Sequence, residues 1–269
     1  MSSNGIYTAL SGAVAQSQRM DTIANNIANS NTTAFKKDQQ TFYEYVTANE
    51  KPPDVIQVPR VPASIESFYD MQGGDRGYVD SSGTYTDHSQ GQLKKTGNKL
   101  DVALEGKGLF EVLTPQGVQY TRNGSFKIDN QGRLVTKHGF PVLMAGAAPP
   151  ETRTLNLENQ NVIVSYTGEI YQGNENLGKI SVVEVQNADA LKKQGASYFA
   201  VKENFAVQTQ NAEAARLHQG FVEGSNVNIV QEMTDMISAS RAFESAQKAI
   251  RAFDMIDQKL MNDVPKAGY

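Results

Sequence analysis

The 269-residue sequence contains no cysteine, which excludes disulfides, thiolate nucleophiles and Cys-based metal sites. Tryptophan is absent too, and the three histidines, His88, His138 and His218, stand far apart in polar or turn contexts. Long single-sign charge runs are missing, and a net charge of −4 offers no electrostatic footprint for nucleic acid or anionic lipid. No apolar run approaches the roughly 18 to 20 residues that a membrane span needs, so direct membrane insertion is not expected. The opening MSSNGIYTALSG has no basic n-region, no apolar h-region and no clear cleavage site. If the protein leaves the cytoplasm, the expectation is export without a cleaved general-secretion signal.

The lack extends to chemistry. Neither a Gly-x-Ser-x-Gly nor a His-Glu-x-x-His motif occurs. Gly106-Lys107-Gly108 lacks the third glycine of a dinucleotide loop and reads as a hairpin turn. Asp129-Asn130-Gln131-Gly132 lacks the closing Glu of a calcium loop and reads as a β-turn. The sequence therefore assigns no catalytic residue, no cofactor and no metal ligand.

What is present lies first at the two ends. From Gly5 to about Asn29 the apolar residues Ile6, Leu10, Ala13, Met20, Ala24 and Ile27, with Ser17 in one seam position, step by 4, 3, 4, 3, 4 and 3. That heptad-like stripe predicts a helix about 35 Å long. A second stripe runs Ile229, Met233, Met236, Phe243, Ala246, Ile250, Phe253, Ile256 and Leu260, with Ser240 in the seam. Its spacing of roughly 3.5 keeps one face toward a partner. Ile23 and Ile237 widen the two faces. Asn228 with Gln231 is a variant capping box, and Pro265 lies beyond the last periodic residue. Each seam must be buried, against the other or against neighbouring copies.

Between the ends the pattern is β. The runs Leu100–Leu104, Leu109–Leu113, Val118–Arg122, Ser125–Ile128, Val162–Ser165, Ile180–Val185 and Tyr198–Val201 are separated by turn signals such as Pro115-Gln116-Gly117, Asn123-Gly124 and Gln172-Gly173-Asn174. From Glu50 to Asn98, prolines and glycines interrupt any long element, which reads as an extended connector, irregular or loosely β. The fold class expected is a multi-domain α+β chain. Residues 1–35 form an N-terminal helical assembly segment, 36–98 an extended connector, 99–222 a central all-β domain and 223–269 a C-terminal helical assembly segment. The two helices would pair in a coiled-coil-like layer.

The run Ala24-Asn25-Asn26-Ile27-Ala28-Asn29-Ser30-Asn31-Thr32-Thr33-Ala34-Phe35-Lys36-Lys37 resembles the N-terminal signature of flagellar rod and hook proteins. Glu223-Gly224-Ser225-Asn226-Val227-Asn228, followed by Glu232-Met233 and Ser240-Arg241-Ala242-Phe243-Glu244, is similar to that family's C-terminal signature. Leu100–Leu104, Gly106–Phe110 and Tyr120–Phe126 look like its central β-domain landmarks. Within the family, the Gly5–Leu10 opening and the Glu223–Asn228 block look most like the proximal rod members, with the distal rod members close behind.

The resemblance implies a non-enzymatic axial subunit of the bacterial flagellar basal body, in its periplasmic rod. Such a subunit is exported by the flagellar type III apparatus and assembles with copies of itself and other rod proteins. It transmits torque and lines the export channel. The expected assembly residues are Ile6, Leu10, Met20, Ile23, Asn25, Asn26, Ile27 and Asn29 at one end. At the other they are Asn226, Asn228, Met233, Ile237, Phe243, Ile250, Phe253 and Leu260. Both termini are expected to be largely disordered in the monomer and to fold on assembly. The family often has Gly where this chain has Ala34, and Ala34 suggests a different turn. Two other classes fit the element pattern: a β-rich periplasmic enzyme with helical oligomerisation tails, and a binding head on a coiled-coil stalk.

Overall fold

The computed structural model describes residues 3–46, 77–159, 161–187, 190–195, 197–202, 209–212 and 214–263. The chain divides into two compact units. One comprises Met1–Ala24, Gln40–Thr84 and Met233–Tyr269, and the other Asn25–Gln39 and Tyr85–Glu232. It opens on helix α1 (Ser3–Ala28) and closes on helix α2 (Ile229–Asp263), with a β-rich region between. This is the α+β architecture expected from the periodicities. No helix among the described residues is long and apolar enough to cross a membrane.

The covered line on α1 is Ile6, Ala9, Ala13, Gln16, Met20, Ile23 and Ile27, with Ala13 and Ile23 buried. It shares every seventh position with the stripe read from sequence but takes Ala9 and Ile23 where that stripe has Leu10 and Ala24. Leu10 and Val14 are exposed. At about 100° per residue only one of two adjacent apolar positions can face inward, and residue type alone does not say which.

Helix α2 likewise carries two apolar lines. Met236, Ala239, Phe243, Ala246, Ile250 and Phe253 are buried or half-buried, whereas Ile229, Val230, Met233, Ile237, Met255 and Ile256 face out. Asn228 caps it as expected, its Oδ1 accepting from the N–H groups of Val230 at 3.2 Å and Gln231 at 3.4 Å. Gly5 of α1 meets α2 closely: a Cβ there would stand 2.7 Å from Cζ of Phe253. Pro265 and the Leu260 side chain lie outside the described residues.

The connector contributes β1 (Asp38–Val46) and β2 (Gly77–Thr86), which pair with each other. Short antiparallel pairs follow. Strand β3 (Leu93–Lys95) pairs with β17 (Phe221–Glu223), β4 (Val102–Glu105) with β16 (Arg216–Gln219), and β7 (Phe126–Ile128) with β8 (Leu134–Thr136). A three-stranded sheet joins β9 (Val162–Val164), β10 (Glu169–Gln172) and β11 (Glu175–Lys179). The largest sheet runs in the order β13 (Leu191–Gln194), β14 (Tyr198–Val201), β6 (Gly117–Thr121), β5 (Leu109–Thr114), β12 (Val182–Val185) and β15 (Thr209–Asn211).

Period-two alternation splits that sheet's apolar residues between two faces. Phe110, Val112 and Val182 enter one core with Leu104, Phe126 and Ile170. Leu109 and Val183 enter the other with Tyr120, Leu191 and Phe199. The register pairs Val182 with Phe110 and Val183 with Leu109, so neighbouring strands agree on the division.

Pro115-Gln116 turns the β5–β6 hairpin, where Thr114 faces Gly117, and Gly173-Asn174 turns β10–β11. Asp129–Gly132 is the turn between β7 and β8, with Asp129 Oδ1 accepting from the N–H groups of Gln131 and Arg133. The hairpin expected at Gly106-Lys107-Gly108 is not formed. Strand β4 before it pairs with β16 and β5 after it with β6 and β12, so the segment crosses between two sheets. Asn123-Gly124 is not a hairpin turn either, since β6 and β7 have other partners. Gly124 serves a close backbone approach: a Cβ would lie 1.6 Å from the Val102 carbonyl oxygen.

Candidate functional site

Three segments singled out in the sequence meet in one place. They are the chain just after α1, the Tyr120–Phe126 run, and the stretch leading into α2. At the centre is Glu223, which is 0% exposed. Its Oε1 accepts from Lys36 Nζ at 2.6 Å and from the Gly91 N–H at 2.8 Å, and its Oε2 accepts from Arg122 Nε at 2.6 Å. Lys36 Nζ also donates to the Ser89 carbonyl at 2.6 Å. The Arg122 guanidinium donates to the carbonyls of Leu104, Gly106 and Gly108. The glycine-flanked crossing is therefore shaped to accept a buried cation. Burial pushes the Lys36 ammonium below its ordinary 10.5, against the upward pull of the Glu223 carboxylate.

Around this triad the strand-like segment Ala34–Asp38 is tied on every side. The Ala34 N–H donates to the Glu223 carbonyl at 2.8 Å, and the Lys37 N–H donates to Asn226 Oδ1 at 2.8 Å. Lys193 Nζ donates to the Lys36 carbonyl and Asp38 Oδ2, and lies 3.8 Å from the centroid of the Phe35 ring. Asp87 stands alongside. Its desolvation pushes the carboxyl up, but hydrogen bonds from Ser89 and the charges of Lys37 and Lys36 outweigh that and hold it below 3.8.

The different turn expected at Ala34 is not found: Ala34 is buried with φ of +58°. The chain adopts the left-handed geometry that glycine would take, and in it the Ala34 N–H reaches the Glu223 carbonyl and Phe35 is buried.

Asn26, near the end of α1, is buried, and its amide is used on both sides. Oδ1 accepts from the Asp38 N–H at 3.0 Å, while Nδ2 donates to the Asp38 carbonyl at 2.9 Å and to Glu232 Oε2 at 3.2 Å. Glu232, buried in the first turn of α2, also faces Lys37 Nζ at 3.7 Å. Asn226 Nδ2 donates to the carbonyls of Asp87 and Ser89.

The structure thus brings Asn26 and Asn226 together with three residues the sequence reading left out, Lys36, Arg122 and Glu223. Both asparagines are spent on contacts inside the chain. Asn29 turns back to the Asn25 carbonyl at 2.9 Å, closing the end of α1, and Asn25 is exposed. Ile6, Met20, Ile23, Ile27, Phe243, Ile250 and Phe253 are buried or half-buried, whereas Leu10, Asn228, Met233 and Ile237 face out. A signal for the triad existed: Lys36, Arg122 and Glu223 each lie inside one of the three motif blocks, among turn formers and apolar residues, with Lys37 the one further charge beside Lys36.

A cavity of about 510 Å³ adjoins the triad, lined among others by Lys36, His88, Lys107, Arg122 and Glu184. Among the described residues no group of His, Asp and Glu is arranged to hold a metal ion.

Three family models match the chain. A flagella basal body rod protein model covers residues 6–36, a flagellar hook protein FlgE/F/G D1 domain model 103–172, and a flagellar basal body rod FlgEFG protein C-terminal model 218–263. Lys36, Arg122 and Glu223 fall one in each. The chain is 35% identical to the flagellar basal-body rod protein FlgG of Bacillus subtilis, over 96% of this chain and 97% of that one. It is 34% identical to FlgG of Borreliella burgdorferi, covering 93% and 94%, and 33% identical to FlgF of Caulobacter vibrioides, covering 91% of each.

Proposed function

The chain belongs to the flagellar basal-body rod protein family, and from that premise we propose that its terminal helices are the surfaces through which copies polymerise into the rod. It is a structural subunit of the basal body, of the FlgF/FlgG type, and it assembles with other rod proteins. The observation that carries the reading is the second apolar line on α2: Val230 is 74% exposed, Met233 51% and Ile237 55%. An apolar line left open beside a covered one fits a helix that packs inward within its own chain and outward on a neighbour.

In this reading the helices form a coiled-coil-like inner layer, enclose the export channel and transmit torque. Leu10 and Val14 give α1 an exposed apolar face of its own. The chain reaches the periplasm through the flagellar type III export apparatus without a cleaved signal. It does no chemistry. The residues that matter most are those that hold the two ends in position and those that face the next copy.

Deleting the gene in its host and imaging purified basal bodies tests the assignment. Rescue with Met233→Asp or Ile237→Asp tests the surface. Truncated rods that wild type restores and the two variants do not are expected. Full rods in the deletion strain would overturn the assignment, and full rescue by both variants would overturn the role of the α2 face.

A further inference from the structure

We infer that the β region carries a contact of its own between copies, in which Tyr166 and Ile163 of one copy enter the cavity beside the triad of the next. The inference rests on the reading that copies of this chain polymerise. Between Leu93 and Glu223 these two are the only large apolar side chains left exposed among the described residues, Tyr166 at 65% and Ile163 at 63%. Val162 and Val164 turn into the first core, so strand alternation turns Ile163 outward. Tyr166 follows in the turn between β9 and β10. Its carbonyl accepts from the Leu217 N–H at 3.0 Å, and its ring stands edge-on to His218 with centroids 5.4 Å apart. A side chain already held in this way loses little freedom on docking.

The cavity of about 510 Å³ falls within the range of about 300–1,000 Å³ that encloses a whole small organic molecule, room enough for one aromatic side chain and an aliphatic neighbour. Leu109, Val185 and Leu191 give it an apolar wall. Lys36 and Arg122 form another, but Glu223 and backbone carbonyls already hold both. His88 packs against Phe199. Lys107 and Glu184 remain, one of each sign, so the charge balance favours a neutral occupant over an ion. Among the described residues neither the Glu184 carboxylate nor the Tyr166 hydroxyl has a partner, and a docked Tyr166 donates where Glu184 accepts.

Knob and cavity lie on opposite sides of the largest sheet. Leu109 and Leu191 belong to its second core, with Val185 packed against them, whereas Val162 and Ile170, which flank the knob, belong to the first. One copy therefore cannot fill its own cavity with its own knob. Both surfaces belong to the compact unit of Asn25–Gln39 and Tyr85–Glu232, so their separation is fixed within each copy. A contact between unlike surfaces of identical copies is heterologous, and repeated without closing it generates a helical filament. A rod built from copies of one chain is such a filament.

The absence of cysteine makes crosslinking the test. Tyr166→Cys and Glu184→Cys are combined in one full-length chain, rods are grown in the host, and purified basal bodies are oxidised. A head-to-tail contact should give a ladder on a non-reducing gel, running past dimer to trimer and beyond, while each single variant stays monomeric. Rods of full length without the ladder would overturn the inference and leave the α2 face untouched. Dimers from a single variant would overturn it too, because they report a like-to-like contact. Should the double variant build no rods, a photoreactive benzophenone amino acid replaces Tyr166 in a chain co-expressed with wild type, whose copies then build the rod. Irradiation is expected to join it to Leu109, Val185 or Leu191 of another copy, as mapped by mass spectrometry. A crosslink elsewhere, or none in rods that contain the variant chain, would sink the contact.

Discussion

Glu223 is the anion between two buried cations, so the three side chains of the triad are not equivalent. Replacing it with Gln strands Lys36 and Arg122 together, and removing one partner of a buried pair costs about 3–5 kcal/mol. Lys36→Met leaves the Arg122–Glu223 pair and the bond from the Gly91 N–H in place and removes an ammonium that burial already disfavours. Its cost should be clearly smaller than that of Glu223→Gln, since no charge is left unpaired and the Ser89 carbonyl keeps the Asn226 amide as a donor. Urea denaturation of the two variants side by side checks the asymmetry.

Ala34 gives a second residue-scale test. Ala34→Gly relieves about 1–2 kcal/mol of left-handed strain. It gives back about 0.8 kcal/mol of buried methyl and about 0.5–1 kcal/mol of backbone entropy. The net change should be within about 1 kcal/mol of zero, whereas Ala34→Val, branched and fully buried, should lose about 2 kcal/mol or more.

Asp87 supplies a pH test. Its folded carboxyl is held below 3.8, so as pH falls the unfolded chain takes up the proton first. The stability it contributes is present above that value and lost as pH drops through the folded one. For this half-exposed group the contribution should be under about 1 kcal/mol. Wild type and Asp87→Asn should therefore differ slightly at neutral pH and converge in acid, in denaturation curves taken across that range.

At the scale of elements, α2 separates two jobs on one helix. Phe243, Ile250 and Phe253 lie on the covered line, and Met233 and Ile237 on the open one. Met233→Asp should leave the thermal midpoint of the monomer within a few degrees of wild type, since an exposed substitution shifts stability by no more than about 0.5 kcal/mol. Phe243→Asp should lower the helical signal of the monomer itself. Circular dichroism distinguishes the two before any assembly assay is run.

For the whole molecule, a β region with two buried cores and helices that are largely half-covered should not melt as one unit. With no tryptophan, tyrosine fluorescence is dominated by the β region, where Tyr120 is buried and Tyr171 and Tyr198 are half-buried, whereas Tyr7 of α1 is exposed. The far-ultraviolet helical signal is expected to fall at lower urea than tyrosine fluorescence. Coincident curves would mean that the helices share the β region's cooperativity.

The chain by itself determined that two long helices would flank a β region, because spacings near 3.5 and alternation by 2 are carried by residue type alone. Each of the seven β runs read from the sequence overlaps a strand of the fold, and the turns at Pro115-Gln116, Asp129–Gly132 and Gly173-Asn174 follow from local backbone preferences. Tertiary structure decided the rest. Whether Leu10 or Ala9 faces inward depends on what packs beside α1. Whether Gly106-Lys107-Gly108 makes a hairpin depends on which distant strands claim β4 and β5. Whether Asn26 is a surface amide or a buried link depends on Glu232, a residue far along the chain. Local chemistry sets each element's type, but a burial or ion pair needs both partners in place, and only the folded chain brings them together.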